Sequence, residues 1–195
     1  VANAWRIAAD MQGRWDSVMR TWDLFKPWAN YSGAGGWSFL DFLRMDEEYG
    51  CEAVEGEPNA TTMCYHEQQA HFSLWVISGS PLILGFDLTR TLVNGNHSVA
   101  ARLLLNPEVL AISQDSLAAP AQLCDTSQPS GITWTEQWAK QLADGSVAIA
   151  LFNRGDWSGV GPGAVVPLDF DSIPGSPLAH CCWNREVQPC NRSAA

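Results

Sequence analysis

Three aspartates follow short apolar runs and are candidates for catalysis. Asp10 follows WRIAA, Asp41 follows GGWSFL and Asp87 follows LILGF. Carboxylates in such positions can pass protons and stabilise the oxocarbenium-like charge of glycoside chemistry. Arg6 lies four residues before Asp10, and the chain contains ten tryptophans, whose faces can stack on sugar rings. This combination of residue types is what a protein acting on carbohydrate requires.

The same side chains also have structural interpretations. An aspartate after a strand is often a helix N-cap, and Asp87, which is followed by Leu and Thr, is predicted to be one. Arg6 could pair with a neighbouring carboxylate, and the helical spacing of Trp15, Trp22 and Trp75 is typical of core residues. Composition and spacing alone therefore predict a secreted α/β protein with a β appendage, with carbohydrate as its candidate ligand.

Charge and residue spacing argue against several classes of partner. The formal net charge of −10 disfavours phosphate backbones and anionic membrane surfaces, so we expect neither nucleic acid nor a membrane as a partner. No apolar run is long enough to span a bilayer. The six cysteines lack zinc-site spacing, and His66 and His71 do not share a helix face, so no metal or other cofactor is predicted.

Cysteines and glycosylation motifs favour the secretory pathway, either outside the cell or in a lysosome or vacuole. The four N-glycosylation sequons begin at Asn30, Asn59, Asn96 and Asn191. Cys51 and Cys64 bracket an acidic, turn-rich loop and are the favoured disulfide pair, among about 15 pairings that six cysteines allow. No signal-peptide pattern occurs in the chain, which begins at Val1.

The hydrophobic periodicity changes along the chain. Up to about residue 117, strands alternate with helices, which is typical of βα units around a parallel sheet. Helices are predicted over 14–28, ended by Pro27, over 65–78, and over 98–105, with another starting at Pro107. After residue 120, the runs GITWTEQW, GSVAIALFN and GAVVPLDF predict a small antiparallel sheet, with the boundary near 118–130.

Five segments, in order, resemble the carboxyl half of glycoside hydrolase family 27, the α-galactosidase and α-N-acetylgalactosaminidase group. They are AWRIAADMQGRWDSV, SGAGGWSFLDFL, EQQAHFSLWVISGSPLILGFDL, LLNPEVLAISQDSLA and GSVAIALFNRG. The resemblance covers residue 3 to about residue 155. It implies that residues 1–118 are the last three βα units of a TIM (β/α)8 barrel, strands six to eight, and that 119–195 are a truncated antiparallel β-sandwich domain.

The resemblance also implies a function. Family members are retaining glycosidases that remove terminal α-linked galactose or N-acetylgalactosamine from oligosaccharides or glycolipids. By matching positions, Asp10 is implied to be the general acid/base, while Arg6, Asp41 and Phe42 are implied to bind the galactoside substrate.

Two departures from the family pattern affect this interpretation. Ser38, Phe39 and Leu40 replace the Asn-Asp-Pro of the strand-seven motif GPGGWNDPDML, which alters the rim of the site. The strand-four motif Y-x-K-x-D, which carries the family's nucleophile, does not occur in the sequence, and the substrate-selecting loop after strand five is also missing. We therefore expect a fragment that is inactive alone and whose intact parent could be a homodimer. The alternatives are a catalytically inactive, lectin-like galactose-binding protein and a structural cell-surface glycoprotein.

Overall fold

The computed structural model describes residues 2–45, 63–87, 89, 99–127 and 135–154. In chain order its elements are β1 (Ala4–Arg6), α1 (Trp15–Phe25), a 3-10 helix (Lys26–Tyr31), β2 (Trp37–Phe39), α2 (Tyr65–Ser78), α3 (Val99–Leu104), α4 (Pro107–Ser113), β3 (Gln122–Ser127), β4 (Thr135–Gln141) and β5 (Val147–Asn153). The predicted α/β class is confirmed. Several residues named in the predictions lie outside the described part: Cys51, Asn59, Asn96, Asn191 and the run GAVVPLDF.

The first two strands form a parallel pair in which Ala4 lies opposite Trp37 and Arg6 opposite Phe39. The strand predicted over WRIAA therefore ends early, at Arg6, and only the Ile7 N–H continues the ladder, at 3.2 Å from the Phe39 carbonyl. Beyond this point the chain leaves the ladder to form the loop that carries Asp10. Because the two strands are parallel, their carboxyl ends meet at one edge.

The strand predicted in SPLILGFDL is reduced to a single parallel bridge between Leu43 and Leu84. Two backbone hydrogen bonds make this bridge, from Leu43 N–H to Ile83 O at 2.8 Å and from Gly85 N–H to Leu43 O at 2.9 Å. Three residues before the bridge, the N–H of Leu40 donates to a side chain, the Ser80 hydroxyl, at 3.1 Å and not to a neighbouring strand.

Helix α1 buries an apolar face of Val18, Trp22 and Phe25, none of which has exposed surface. These residues lie four and three positions apart, which places them on one face of a helix. Trp15, which was predicted as core, is only partly buried and packs edge-on against Phe152, with ring centroids 6.1 Å apart. The core therefore joins this helix to the antiparallel sheet.

Local signals define the helix ends. Helix α1 ends at Phe25, two residues before Pro27, and the chain continues as the 3-10 helix. Helix α2 has the bounds predicted from its sequence, 65–78. It begins with a capping box, in which the Glu67 carboxylate accepts from Cys64 N–H at 2.9 Å. It ends at Gly79, whose φ of 72° suits a residue without Cβ.

Two shorter signals were also predicted correctly. A helix starts at Pro107, and the Asn106 side chain caps it by accepting from the backbone N–H groups two and three residues later. Asp87 makes a capping contact, since its Oδ1 accepts from Thr89 N–H at 2.9 Å and from Thr89 Oγ1 at 2.6 Å. None of the described helices is long and apolar enough to cross a membrane.

The last three described strands form an antiparallel sheet in the order β3-β4-β5. Strand β3 was missed because QLCDTS lacks apolar alternation, and pairing with β4 defines it instead. A turn containing Gly145, at φ 87°, joins β4 to β5. The described elements change from helices to strands between Ser113 and Gln122, while the division of the chain at residue 118 stays a prediction.

A buried carboxylate joins this sheet to α1 and the 3-10 helix. The Glu136 side chain is 2% exposed and accepts from the indole N–H groups of Trp22 and Trp138, each at 2.9 Å. Lys26 and Arg154 both form ion pairs with Glu136 Oε1. Burial alone would raise the pKa of Glu136, but these hydrogen bonds outweigh it, and the pKa is lowered.

We expect Glu136→Gln to destabilise the full-length protein by about 1–3 kcal/mol at pH 7, because it removes the buried anion shared by Lys26 and Arg154 and leaves both with only the half-exposed Asp23. The pKa of Glu136 in the folded protein lies below its ordinary value. The stabilisation is therefore complete when the pH is above the ordinary pKa, and it decreases as the pH falls through the pKa of the folded protein. Urea unfolding at pH 7 and pH 4 should show a smaller stability loss on acidification in the variant. Asp16→Asn, at an exposed ion pair, is the control; equal losses in all three proteins would contradict the prediction.

Candidate active site

One guanidinium nitrogen brings together three of the predicted site residues. Arg6 Nη2 donates to Asp10 Oδ1 at 2.8 Å and to Asp41 Oδ2 at 2.6 Å. Arg6 is the last residue of β1, and Asp41 lies two residues beyond the end of β2. The parallel register therefore places both carboxylates at the same edge of the sheet.

The two carboxylates have opposite environments. The Asp41 side chain is 3% exposed, whereas that of Asp10 is 93% exposed. The hydrogen bond with Asp10, together with the charges of Asp41 and Asp10, outweighs partial burial and raises the pKa of Arg6. Arg6 is therefore a permanent cation between one carboxylate in the interior and another that is exposed to solvent.

Asp41 has one satisfied carboxylate oxygen and one unsatisfied. Its Oδ2 accepts from Met11 N–H at 2.5 Å as well as from Arg6. Its Oδ1 is buried and has no hydrogen-bond partner among the described residues. A buried acceptor without a donor costs free energy, which is more typical of a functional group than of a purely structural one.

The backbone of Asp41 is held in a conformation that L-residues rarely adopt. Its φ is 80°, in the left-handed region. The Trp75 indole N–H of α2 donates to the Asp41 carbonyl at 2.8 Å, and Trp75 is fully buried. Observed backbone strain of this kind often accompanies functional sites. Here helix α2 maintains it from behind the sheet edge.

His71 supports Trp75 from one turn earlier on α2. Its ring lies edge-on to Trp75, with centroids 4.2 Å apart and planes at 81°. Burial lowers the pKa of His71 to about 3, so the ring is neutral at physiological pH. Neither ring nitrogen has a hydrogen-bond partner within the described residues, and no group of three described His, Cys, Asp or Glu residues could hold a metal ion.

The fourth predicted residue, Phe42, lies at the rim. It is 41% exposed and contacts Phe39 edge-to-face, with ring centroids 5.7 Å apart. Ser38 and Leu40 of this segment point inwards and have no exposed surface, while Phe39 is half-buried. One aromatic ring thus remains accessible next to Asp41.

Comparison with known proteins identifies relatives of this chain. No family model matches the chain. The α-galactosidase of Cyamopsis tetragonoloba is 30% identical over 83% of the chain and 36% of its own length. α-Galactosidase D of Emericella nidulans is 31% identical over 80% of the chain and 21% of its own length.

Comparison with solved structures points to the same group of enzymes as the sequence comparison. One match is a Geobacillus stearothermophilus β-L-arabinopyranosidase of glycoside hydrolase family 27, solved in complex with arabinose. Its TM-score is 0.57 at 28% identity, and the match covers 78% of this chain and 33% of the Geobacillus chain. The chain fits glycoside hydrolase family 27. The α-galactosidase of Saccharomyces cerevisiae shares the fold of this chain, with a TM-score of 0.61 at 24% identity; the match covers 79% of this chain and 36% of the yeast chain. The chain thus spans between 21% and 36% of these relatives' length.

Sequence reasoning missed the contacts that support Asp41. Trp75 was predicted only as core, and it is core, but its indole N–H also fixes the Asp41 backbone. Met11 donates through its main chain, so its residue type carried no signal. The only available hint was a buried tryptophan, whose N–H needs a partner.

We expect Trp75→Phe to let the Asp41 backbone leave its present conformation. The change leaves the Asp41 carbonyl without its donor and should lower the free energy of unfolding by about 1–3 kcal/mol. A crystal structure of the variant should show Asp41 relaxed from positive φ and its carboxylate displaced from Arg6. Trp22→Phe, which also removes a buried indole donor but lies at Glu136, is the control and should leave Asp41 in place. An unmoved Asp41 in the Trp75 variant would contradict the prediction.

Proposed function

We propose that the protein carrying this chain is a retaining glycoside hydrolase that removes terminal α-linked galactose, or N-acetylgalactosamine, from oligosaccharides or glycolipids. The observation that carries the proposal is the contact of Asp10 and Asp41 with one Arg6 nitrogen, at 2.8 and 2.6 Å. The two relatives described above, named α-galactosidases, support this class of substrate.

The different environments of the carboxylates suit different roles. Asp10 is open to solvent and acts as the general acid/base: it protonates the departing glycosidic oxygen and later takes a proton from the attacking water. Asp41 is shielded and held by two donors on one oxygen, so it is suited to accept hydrogen bonds from sugar hydroxyls and not to attack carbon. Arg6 binds the sugar, and the exposed ring of Phe42 offers an apolar surface to it.

In our proposal, the nucleophilic carboxylate is not among these 195 residues. Retaining enzymes place two carboxyl groups about 5–5.5 Å apart, one as nucleophile and one as acid/base. The family's nucleophile motif, Y-x-K-x-D, does not occur in the sequence. We infer that β1, β2 and the bridge at Leu84 are strands six to eight of a (β/α)8 barrel, that a β-sandwich domain follows, and that the 195 residues alone do not hydrolyse galactosides.

Asp10→Asn in the full-length protein should lower kcat on melibiose, an unactivated α-galactoside, at least about 100-fold, because proton transfer to the leaving oxygen is lost. Stopped assays of galactose release measure this. Asp16→Asn, a carboxylate paired with Arg14 on α1, is the matched control and should keep normal activity. Unchanged turnover in the Asp10 variant would remove Asp10 from the catalytic role.

Asp41→Asn should weaken galactose binding by about 10–100-fold, since hydrogen bonds to a charged group contribute about 1.5–3 kcal/mol. Isothermal titration calorimetry with galactose measures the dissociation constant, and circular dichroism verifies folding. The Asp16 variant again serves as control. Wild-type affinity in a folded Asp41 variant would exclude Asp41 from sugar binding.

The unsatisfied Oδ1 of Asp41 also favours a second candidate function, a catalytically inactive, lectin-like protein, since this acceptor can bind a sugar hydroxyl without any catalytic step. In that case the exposed Arg6 and the buried Asp41 bind galactose, and Asp10 transfers no proton. Galactose binding without hydrolysis by the full-length protein would support this function over the first.

A further inference from the structure

Asn30 is an exposed asparagine on the 3-10 helix, in the sequon Asn30-Tyr31-Ser32. Its side chain makes no hydrogen bond with any described residue. Ser32, in contrast, is 3% exposed, and its hydroxyl accepts from Ser38 N–H at 3.1 Å. The Ser32 hydroxyl therefore makes a structural contact in the folded protein, whereas the exposed Asn30 amide makes none with the described residues.

Asn30 lines an open cavity of about 470 Å³ between the 3-10 helix and the antiparallel sheet. Its other lining residues are Lys26, Ala29, Pro120, Gln122, Leu123 and Trp138. Leu123 is 42% exposed there, so the cavity leaves apolar surface uncovered. Gln122 is also exposed and offers an amide that can both donate and accept hydrogen bonds.

We propose that Asn30 carries an N-linked glycan whose first N-acetylglucosamine lies in this cavity. A sugar attached to Asn30 starts within the cavity walls, with Leu123 available to its C–H face and Gln122 to its polar groups. The inference goes beyond the proposed hydrolase function and requires passage through the secretory pathway, which the disulfide at Cys64 supports.

The modification transfers an oligosaccharide from a lipid-linked pyrophosphate donor to Asn30. The Nδ2 atom bonds to the anomeric carbon of the first sugar, the bond from that carbon to the pyrophosphate oxygen breaks, and the amide loses one proton. Because Ser32 is buried after folding, the transfer precedes formation of its hydrogen bond with Ser38.

An exposed aromatic pair on the same helix is the competing surface for the sugar. Trp28 is 46% exposed and Tyr31 is 70% exposed, with ring centroids 6.0 Å apart. Residues three apart share a face of a 3-10 helix, so this pair lies on one face and Asn30 on another. The cavity, which Asn30 itself lines, is therefore the better placed of the two surfaces.

Occupancy can be tested on the full-length protein secreted from a yeast or insect-cell host. Peptide N-glycosidase in heavy-oxygen water converts a glycosylated asparagine to labelled aspartate. Trypsin should release the peptide 21–44, because Lys26 precedes a proline, and Asn30 is the single asparagine in that peptide. We expect the label at Asn30, its loss in N30Q and its retention in S32T, which preserves the sequon. An unlabelled peptide, with or without glycans at other sequons, would overturn the proposal.

The position of the sugar can be tested by thermal unfolding before and after enzymatic removal of the glycan. We expect deglycosylation to lower Tm by about 2–4 °C in the wild type. The decrease should be smaller in L123S, which removes apolar cavity surface, and unchanged in W28S. Equal decreases in the wild type and L123S, or a reduced decrease only in W28S, would overturn the placement in the cavity.

Discussion

The site depends on one buried negative charge. Once Asp41 is removed from water, its carboxylate must be compensated, and the compensation comes from the end of β1 through Arg6 and from the following loop through Met11 N–H. Trp75 fixes the backbone from α2. A single residue, through its side chain and its backbone carbonyl, thus contacts the first strand, the loop that carries Asp10 and the helix behind them.

Comparison with the other buried carboxylate shows how the environment of Asp41 differs from that of a structural contact. Glu136 is equally buried, but it has four donors, two indoles and two cations, and both of its oxygens are bonded. Asp41 leaves Oδ1 without a donor and keeps its backbone at φ 80°. Complete satisfaction is typical of a structural contact, whereas strain and an open acceptor are typical of a ligand site.

Periodic and local signals in the sequence predicted much of this arrangement. The bounds of α2, the start of α4 and the burial of Trp22 followed from helical spacing and capping residues. The convergence of Arg6 with its two aspartates followed from the meeting of parallel strand ends. The Trp75 contact, the single bridge at Leu84 and strand β3 could not be predicted, because each depends on a partner distant in the chain and not on local pattern.

The altered strand-seven motif shows how the site tolerates a change in sequence. Where the motif has proline, this chain has Leu40, whose N–H is an additional donor in a buried position. The Ser80 hydroxyl accepts from that N–H at 3.1 Å, so the replacement leaves no unsatisfied group there. Hydrogen bonds flank the peptide between Leu40 and Asp41, from Leu40 to Ser80 and from Trp75 to the Asp41 carbonyl. Asp41 therefore keeps its contact with Arg6 although three residues before it differ from the motif.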